Sequence, residues 1–193
     1  MERFGFVGLP NAGKSSLYNA LAGGGALAAP YAFATVDPNV GVAKVPDDRL
    51  MLLAEMSQTK TIIPASVQFV DIAGLVEGAA QGEGLGNRFL AHIREVDAIV
   101  FVLRAFVDID VPGSSDPVEQ LSTLEVELVY ADLEPLATQA EKRRKAARVD
   151  KSLADEVAAM DAAIDALQAG TPIYRAHLSD EVREQLKSYF LLT

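Results

Sequence analysis

Cysteine is absent from the 193 residues, so the chain has neither disulfides nor thiolate metal sites. Long apolar runs are missing too. The longest clear one, 98–103, is far short of the roughly 20 residues that cross a bilayer, so no membrane span is expected. No basic segment precedes the first strand-like stretch, which argues against a signal peptide and leaves a cytoplasmic protein as the expectation. Nor is there an excess of positive charge. Seventeen Lys and Arg face 27 Asp and Glu, and the formal charge of −10 opposes indiscriminate binding to a phosphate backbone, although a local basic patch could still bind RNA. Histidine occurs only twice, as His92 and His177.

What remains is an ordinary globular composition, half apolar and about a quarter charged. Its length suits one domain, or one domain with a sizeable insertion. Residues 3–7 read as a short buried strand, followed by a glycine-rich turn and a helix over 15–22. Strands are expected at 39–45 and 67–70, with a helix at 47–56 between them. The run 98–103 suits a strand buried on both faces of a parallel sheet. Strands alternating with helices indicate an α/β domain.

From 117 to 169 the strand signal disappears and Ala, Glu, Lys, Leu and Arg dominate. Leu121, Leu124, Leu128 and Ala131 recur at helical spacing. Leu153, Val157, Met160, Ile164 and Leu167 alternate steps of four and three, the seam of an antiparallel helix pair or coiled coil. Between the two arms, Lys142, Arg143, Arg144, Lys145, Arg148 and Lys151 would form a basic hairpin tip. Pro135 is expected to kink or divide the first arm. Gly170-Thr171-Pro172 ends the second, and Ser179-Asp180-Glu181 starts a further helix.

Gly8-Leu9-Pro10-Asn11-Ala12-Gly13-Lys14-Ser15 fits G-x-x-x-x-G-K-[ST] after a strand and before a helix. A chance match arises in roughly one chain in a hundred of this length, and the strand–loop–helix setting lowers that further. Glycines let the backbone wrap phosphates, so that N–H groups from Asn11 to Ser16 and the helix N-terminus point at negative charge. Lys14 can reach the β- and γ-phosphates of a purine nucleoside triphosphate, and the Ser15 hydroxyl is a hard oxygen ligand for magnesium. Asp71-Ile72-Ala73-Gly74 follows a strand and fits D-x-x-G. Asp71 would hold magnesium through water, and the Gly74 N–H would meet the γ-phosphate. Alone this pattern is weak, and a strand-end turn is its usual explanation; downstream of a P-loop it becomes strong. Thr35, in the loop between the motifs, is the candidate second magnesium ligand.

These elements, in this order, are those of a P-loop GTPase-like switch protein. The chain resembles more closely the YchF/Obg-like ATPase family. The resemblance rests on Gly5-Phe6-Val7-Gly8-Leu9-Pro10-Asn11-Ala12-Gly13-Lys14-Ser15-Ser16, Thr35-Val36-Asp37-Pro38-Asn39-Val40-Gly41-Val42, Phe69-Val70-Asp71-Ile72-Ala73-Gly74-Leu75-Val76 and Gly82-Glu83-Gly84-Leu85-Gly86-Asn87. It continues through Ile93-Arg94-Glu95 and the helical segment to Phe190-Leu191-Leu192-Thr193. The resemblance implies ATP hydrolysis in preference to GTP, and association with ribosomes. It also implies the hydrophobic substitution at Leu75, where many related GTPases place a glutamine that orients water, so no catalytic residue is assigned. Asn11 occurs in relatives that use potassium, which leaves two readings for it, a potassium site or simple loop hydrogen bonding.

The chain departs from the family pattern in two places. The family's histidine after the strand ending near 103 is absent from the shorter loop 106–117, and His92 reads as a polar surface residue. No N-K-x-D base-reading motif or altered form of it is present; the family places it beyond the position of Thr193, so adenine and guanine are not distinguished. The basic tip, Lys142, Arg143, Arg144 and Lys145 foremost, has two readings: contact with ribosomal RNA, or a solvated hairpin end.

The expected architecture is an α/β P-loop NTPase core of three layers with an inserted helical hairpin or coiled coil. Its parts are a nucleotide-binding core over 1–115, a hairpin over 116–172 and a helix over 173–193 returning to the core, with the rest of the family's core and its C-terminal domain absent. The expected function is a magnesium-dependent switch ATPase associated with the ribosome. Its rivals are a GTPase of the same fold and a nucleotide-dependent ribosome- or translation-factor-binding module with negligible turnover.

Overall fold

Phe6 and Val7, 1% and 0% exposed, are as deeply buried as an apolar run in mid-sheet should be. They lie on strand β1 (Arg3–Val7), which the computed structural model flanks with a parallel neighbour on each side. Residues 1–23, 39–72 and 85–193 are described. The chain divides into two compact units, Met1–Gly74 with Glu95–Ser115, and Leu75–Arg94 with Asp116–Thr193.

In the first unit four strands run in the order β2-β3-β1-β4, with β2 at Asn39–Lys44, β3 at Ser66–Asp71 and β4 at Ala98–Phe101. Phe6 stands opposite Asp71, and Val7 opposite Phe101, so the three parallel strands finish at one sheet edge. Ligands of open α/β sheets gather at that carboxyl edge. Strand β2 is antiparallel to β3, with Asn39 opposite Asp71, so the sheet is mixed. The run 98–103 is not buried on both faces as expected. Ala98 is exposed and Ile99, Val100 and Phe101 are half-buried, because β4 has β1 as its one neighbour among the described strands.

Helix α1 (Lys14–Ala22) lies close over β2. A Cβ on Gly41 would stand 2.3 Å from the Ala22 Cβ and 2.8 Å from the Tyr18 hydroxyl, so this crossing needs glycine. Tyr18 is buried beside Phe6, whose ring stacks on Phe69 at 5.1 Å. Helix α2 (Arg49–Met56) buries Ala54 alone.

The second unit is helical: α3 (Leu85–Arg94), α4 (Pro117–Ala147), α5 (Ala154–Gln168) and α6 (Asp180–Leu186). Asp116 starts α4 by accepting from the Val118 and Glu119 N–H groups, with Pro117 at the first position, where its missing N–H costs nothing. A six-residue connection, 148–153, turns the chain back, so α4 and α5 form an antiparallel hairpin. Leu136 and Ala140 pack there with Ala159, Met160, Ala163, Ile164 and Leu167. Met160, Ile164 and Leu167 of the expected seam are buried, whereas Leu153 and Val157 are half-buried. Ser179 caps α6, and Leu186, Tyr189 and Leu191 join the same cluster. From 173–193, expected as a helix returning to the core, Ile173, Leu178, Val182, Leu186, Tyr189 and Leu191 pack in this cluster.

Pro135 does not divide the first arm: α4 is one helix of 31 residues. Proline at 135 leaves the carbonyl of Ala131 without its helical donor. The Arg94 guanidinium from the end of α3 supplies one, with Nη2 donating to Ala131 O at 3.2 Å. The same guanidinium lies 3.7 Å from the buried carboxylate of Asp132. Asp132 in turn accepts from the Leu192 N–H (2.8 Å), the Thr193 N–H (2.9 Å) and the Thr193 hydroxyl (2.9 Å).

Candidate nucleotide and magnesium site

The P-loop begins where β1 stops, and close packing dictates its first residue. A Cβ on Gly8 would lie 2.4 Å from the Val102 carbonyl oxygen, at the end of β4. At its far end Gly13 has φ +95°, and Asn11 between them has φ 64°, both left-handed. Glycine adopts that conformation freely and asparagine tolerates it. Gly13 offers α1 no side-chain cap. The first turn's N–H groups, including those of Ser15 and Ser16, are thus available to an anion, and the helix dipole favours one there. Ala12 is buried under the loop, Ser15 is half-buried and Ser16 is exposed.

Lys14 is 7% exposed and donates to two carbonyls of its own loop, Gly8 O at 3.2 Å and Leu9 O at 3.1 Å. Burial lowers its ammonium from 10.5 to about 8, against the opposing pull of the Asp71 charge. Ser15 Oγ donates to Asp71 Oδ2 at 2.7 Å. With its proton committed to Asp71, the hydroxyl keeps its lone pairs for another partner. A hydroxyl and a carboxylate oxygen side by side are the hard donors that magnesium takes, so these residues fit that ion. Asp71 itself is fully buried at the end of β3.

Asn11, Ala12, Gly13, Lys14, Ser15, Ser16 and Asp71 are thus gathered at the carboxyl edge of the sheet. Thr35, Gly74 and Leu75 lie outside the described residues. At the hairpin tip, Arg143 pairs with Glu156 at 3.3 Å and Arg144 with Asp161, so both arginines are tied to α5. Among the described residues Lys142 and Lys145 are exposed and form no ion pair. His92 is half-buried on α3 and His177 exposed. Sequence reasoning assigned no role to Arg104, although an arginine placed directly after an apolar strand run, at the sheet's ligand edge, was a usable signal. Among the described residues no helix is long and apolar enough to cross a membrane.

Residues 3–155 match the family described as 50S ribosome-binding GTPase. The chain is similar to the ribosome-binding ATPase YchF of Bacillus subtilis, 43% identical over 98% of this chain and 53% of the relative. It is also 45% identical to the ribosome-binding ATPase YchF of Haemophilus influenzae, with the same coverage. Among solved structures it resembles the YchF GTPase of Schizosaccharomyces pombe, with a TM-score of 0.76 and 37% identity over 99% of this chain and 53% of that one. The chain spans about half the length of the curated relatives it matches. These matches agree with the resemblance carried by the motifs and with the α/β P-loop fold.

Proposed function

We propose, for a chain that belongs to the 50S ribosome-binding GTPase family, a switch that binds and hydrolyses ATP with magnesium and works in association with the ribosome. The observation that carries this reading is the group formed by Lys14, Ser15 and Asp71 beside the uncapped start of α1. Lys14 and the loop N–H groups hold the β- and γ-phosphates. Ser15 Oγ would hold magnesium directly and Asp71 through water, with Thr35 as the second direct ligand by its motif, and the ion would neutralise charge on those phosphates. The Gly74 N–H meets the γ-phosphate, and both Thr35 and Gly74 rest on the motifs. The Leu75 side chain has no polar atom to orient water, so slow turnover of the chain by itself is expected. Asn11 Nδ2 is engaged by a loop carbonyl, which leaves Oδ1 for a potassium ion.

The names of the bacterial relatives supply ATP and the ribosome, and the cytoplasm follows from the latter. Lys142 and Lys145 are the tip residues best placed for RNA, with Arg143 and Arg144 held back by their carboxylates. The working division is a core over 1–115, a hairpin over 116–172 and a closing segment over 173–193. A GTPase is the second reading, favoured by the family description and by the name of the fission-yeast protein. Phosphate release from ATP and from GTP, with and without ribosomes, separates the two. Faster release from ATP, raised by ribosomes, is expected; faster release from GTP would establish the second reading instead.

A further inference from the structure

Arg104 is a buried guanidinium, 3% exposed, beside the phosphate loop. It stands two residues beyond the last bond between β4 and β1, from Val102 N–H to Val7 O at 2.8 Å, and is therefore anchored at the same sheet edge as Gly8. Its nitrogens donate to four backbone carbonyls of the loop that follows. Nε meets Phe106 O at 3.0 Å, Nη1 meets Val111 O at 3.0 Å and Pro112 O at 3.1 Å, and Nη2 meets Asp108 O at 3.2 Å. The cation also lies 4.9 Å over the Phe106 ring. Residues 105–110 are all exposed, so this one buried side chain ties down a loop that otherwise faces solvent. One of the four carbonyls is shared: Pro112 O also accepts from Asn11 Nδ2, at 3.5 Å.

We propose that Arg104 is a positioning residue for the phosphate-binding loop: by clamping residues 106–112 it fixes the Pro112 carbonyl against which Asn11 is oriented. The proposal rests on the nucleotide reading above. Asn11 holds a left-handed backbone that an L-residue leaves readily when nothing retains it. Its side-chain bond helps keep that conformation, and with it the aim of the N–H groups that follow. At 3.5 Å the bond is long. Lysine cannot substitute at 104, because a tetrahedral ammonium with three donors does not span four carbonyls set around a planar fork.

The test measures affinity for magnesium-ATP by calorimetry in the wild type, Arg104→Lys, Asn11→Ala, the double variant and Lys14→Ala. Each of the first two single variants should bind about fivefold more weakly, the worth of one net hydrogen bond. The double variant should be no weaker than either single, because both changes break the same link. An additive loss of about 25-fold would overturn the proposal, since Arg104 would then act apart from Asn11. Unchanged affinity in either single variant, with binding abolished in Lys14→Ala, would overturn it too while leaving the nucleotide reading intact. Normal binding by Lys14→Ala would overturn the nucleotide reading and this proposal with it. Should Arg104→Lys fail to fold, the wild type decides: magnesium-ATP should slow hydrogen exchange at the Arg104 Nε–H, and unchanged exchange would refute the coupling.

Discussion

Raising the pH from 7 to 9 strips the charge from an ammonium held at about 8, and Lys14 carries such an ammonium. About nine-tenths of it is protonated at pH 7 and about one-tenth at pH 9. Phosphate oxygens restore the charged form, so triphosphate binding should draw in about 0.1 proton at pH 7 and about 0.9 at pH 9. Affinity should fall about tenfold over the same range. Titration calorimetry in two buffers of different ionisation enthalpy measures the uptake. Zero uptake at pH 9, or equal uptake in Lys14→Arg, whose guanidinium never titrates, would refute the reasoning. The nucleotide-free fold gives an independent check. The unfolded lysine, near 10.5, binds its proton more tightly than the folded one. The buried charge therefore destabilises the fold fully below pH 8, and the penalty fades as pH rises from 8 to 10.5. The shift corresponds to about 3 kcal/mol, so Lys14→Met should be more stable by up to that amount at pH 7, with the gain lost near pH 10.5, as urea unfolding would report.

Three further outcomes are expected. Ser15→Ala should weaken magnesium-dependent binding of di- and triphosphates alike, whereas Thr35→Ala should affect only triphosphates; equal losses from Thr35→Ala in calorimetric titrations would rule it out as the switch ligand. Gly8→Ala forces a methyl to 2.4 Å from the Val102 oxygen and should cost about 1–3 kcal/mol in denaturant unfolding while also weakening nucleotide binding; wild-type stability would show that the β4 end can give way. Arg94→Ala should cost about 1–3 kcal/mol by unpairing the Ala131 carbonyl, and less in a Pro135→Ala background that restores the helical donor; equal costs in both backgrounds would show that Arg94 is not the replacement donor.

The phosphate-binding motif was legible because its residues are contiguous in sequence, and the structure brings Lys14, Ser15 and Asp71 together as a candidate site. Eight residues at fixed spacing set the loop, and a carboxylate ending a parallel strand next to β1 had to arrive beside Ser15. Strand direction was less legible. Apolar content at 39–45 and 98–103 signals burial but carries no information about which way a neighbour runs or how many neighbours there are. Pro135 shows a third kind of limit, since α4 runs unbroken through it. Pro135 obeys its local rule, and the residue that offsets it lies 37 positions upstream of the carbonyl it serves. Arg143 and Arg144 look like free charge in the sequence, and only the return of α5 brings Glu156 and Asp161 against them.

Helix α4 is thus not a locally determined object. Its far half, from Leu136 on, meets α5 across a six-residue connection and can form early from contacts close in sequence. Its near half carries its own cap at Asp116. The carbonyl left open where they meet is paired by an arginine from a distant part of the chain, so hydrogen bonding at this turn depends on a non-local contact. Without the end of α3 beside it, that turn would carry an unpaired carbonyl in the middle of a rod that otherwise looks continuous.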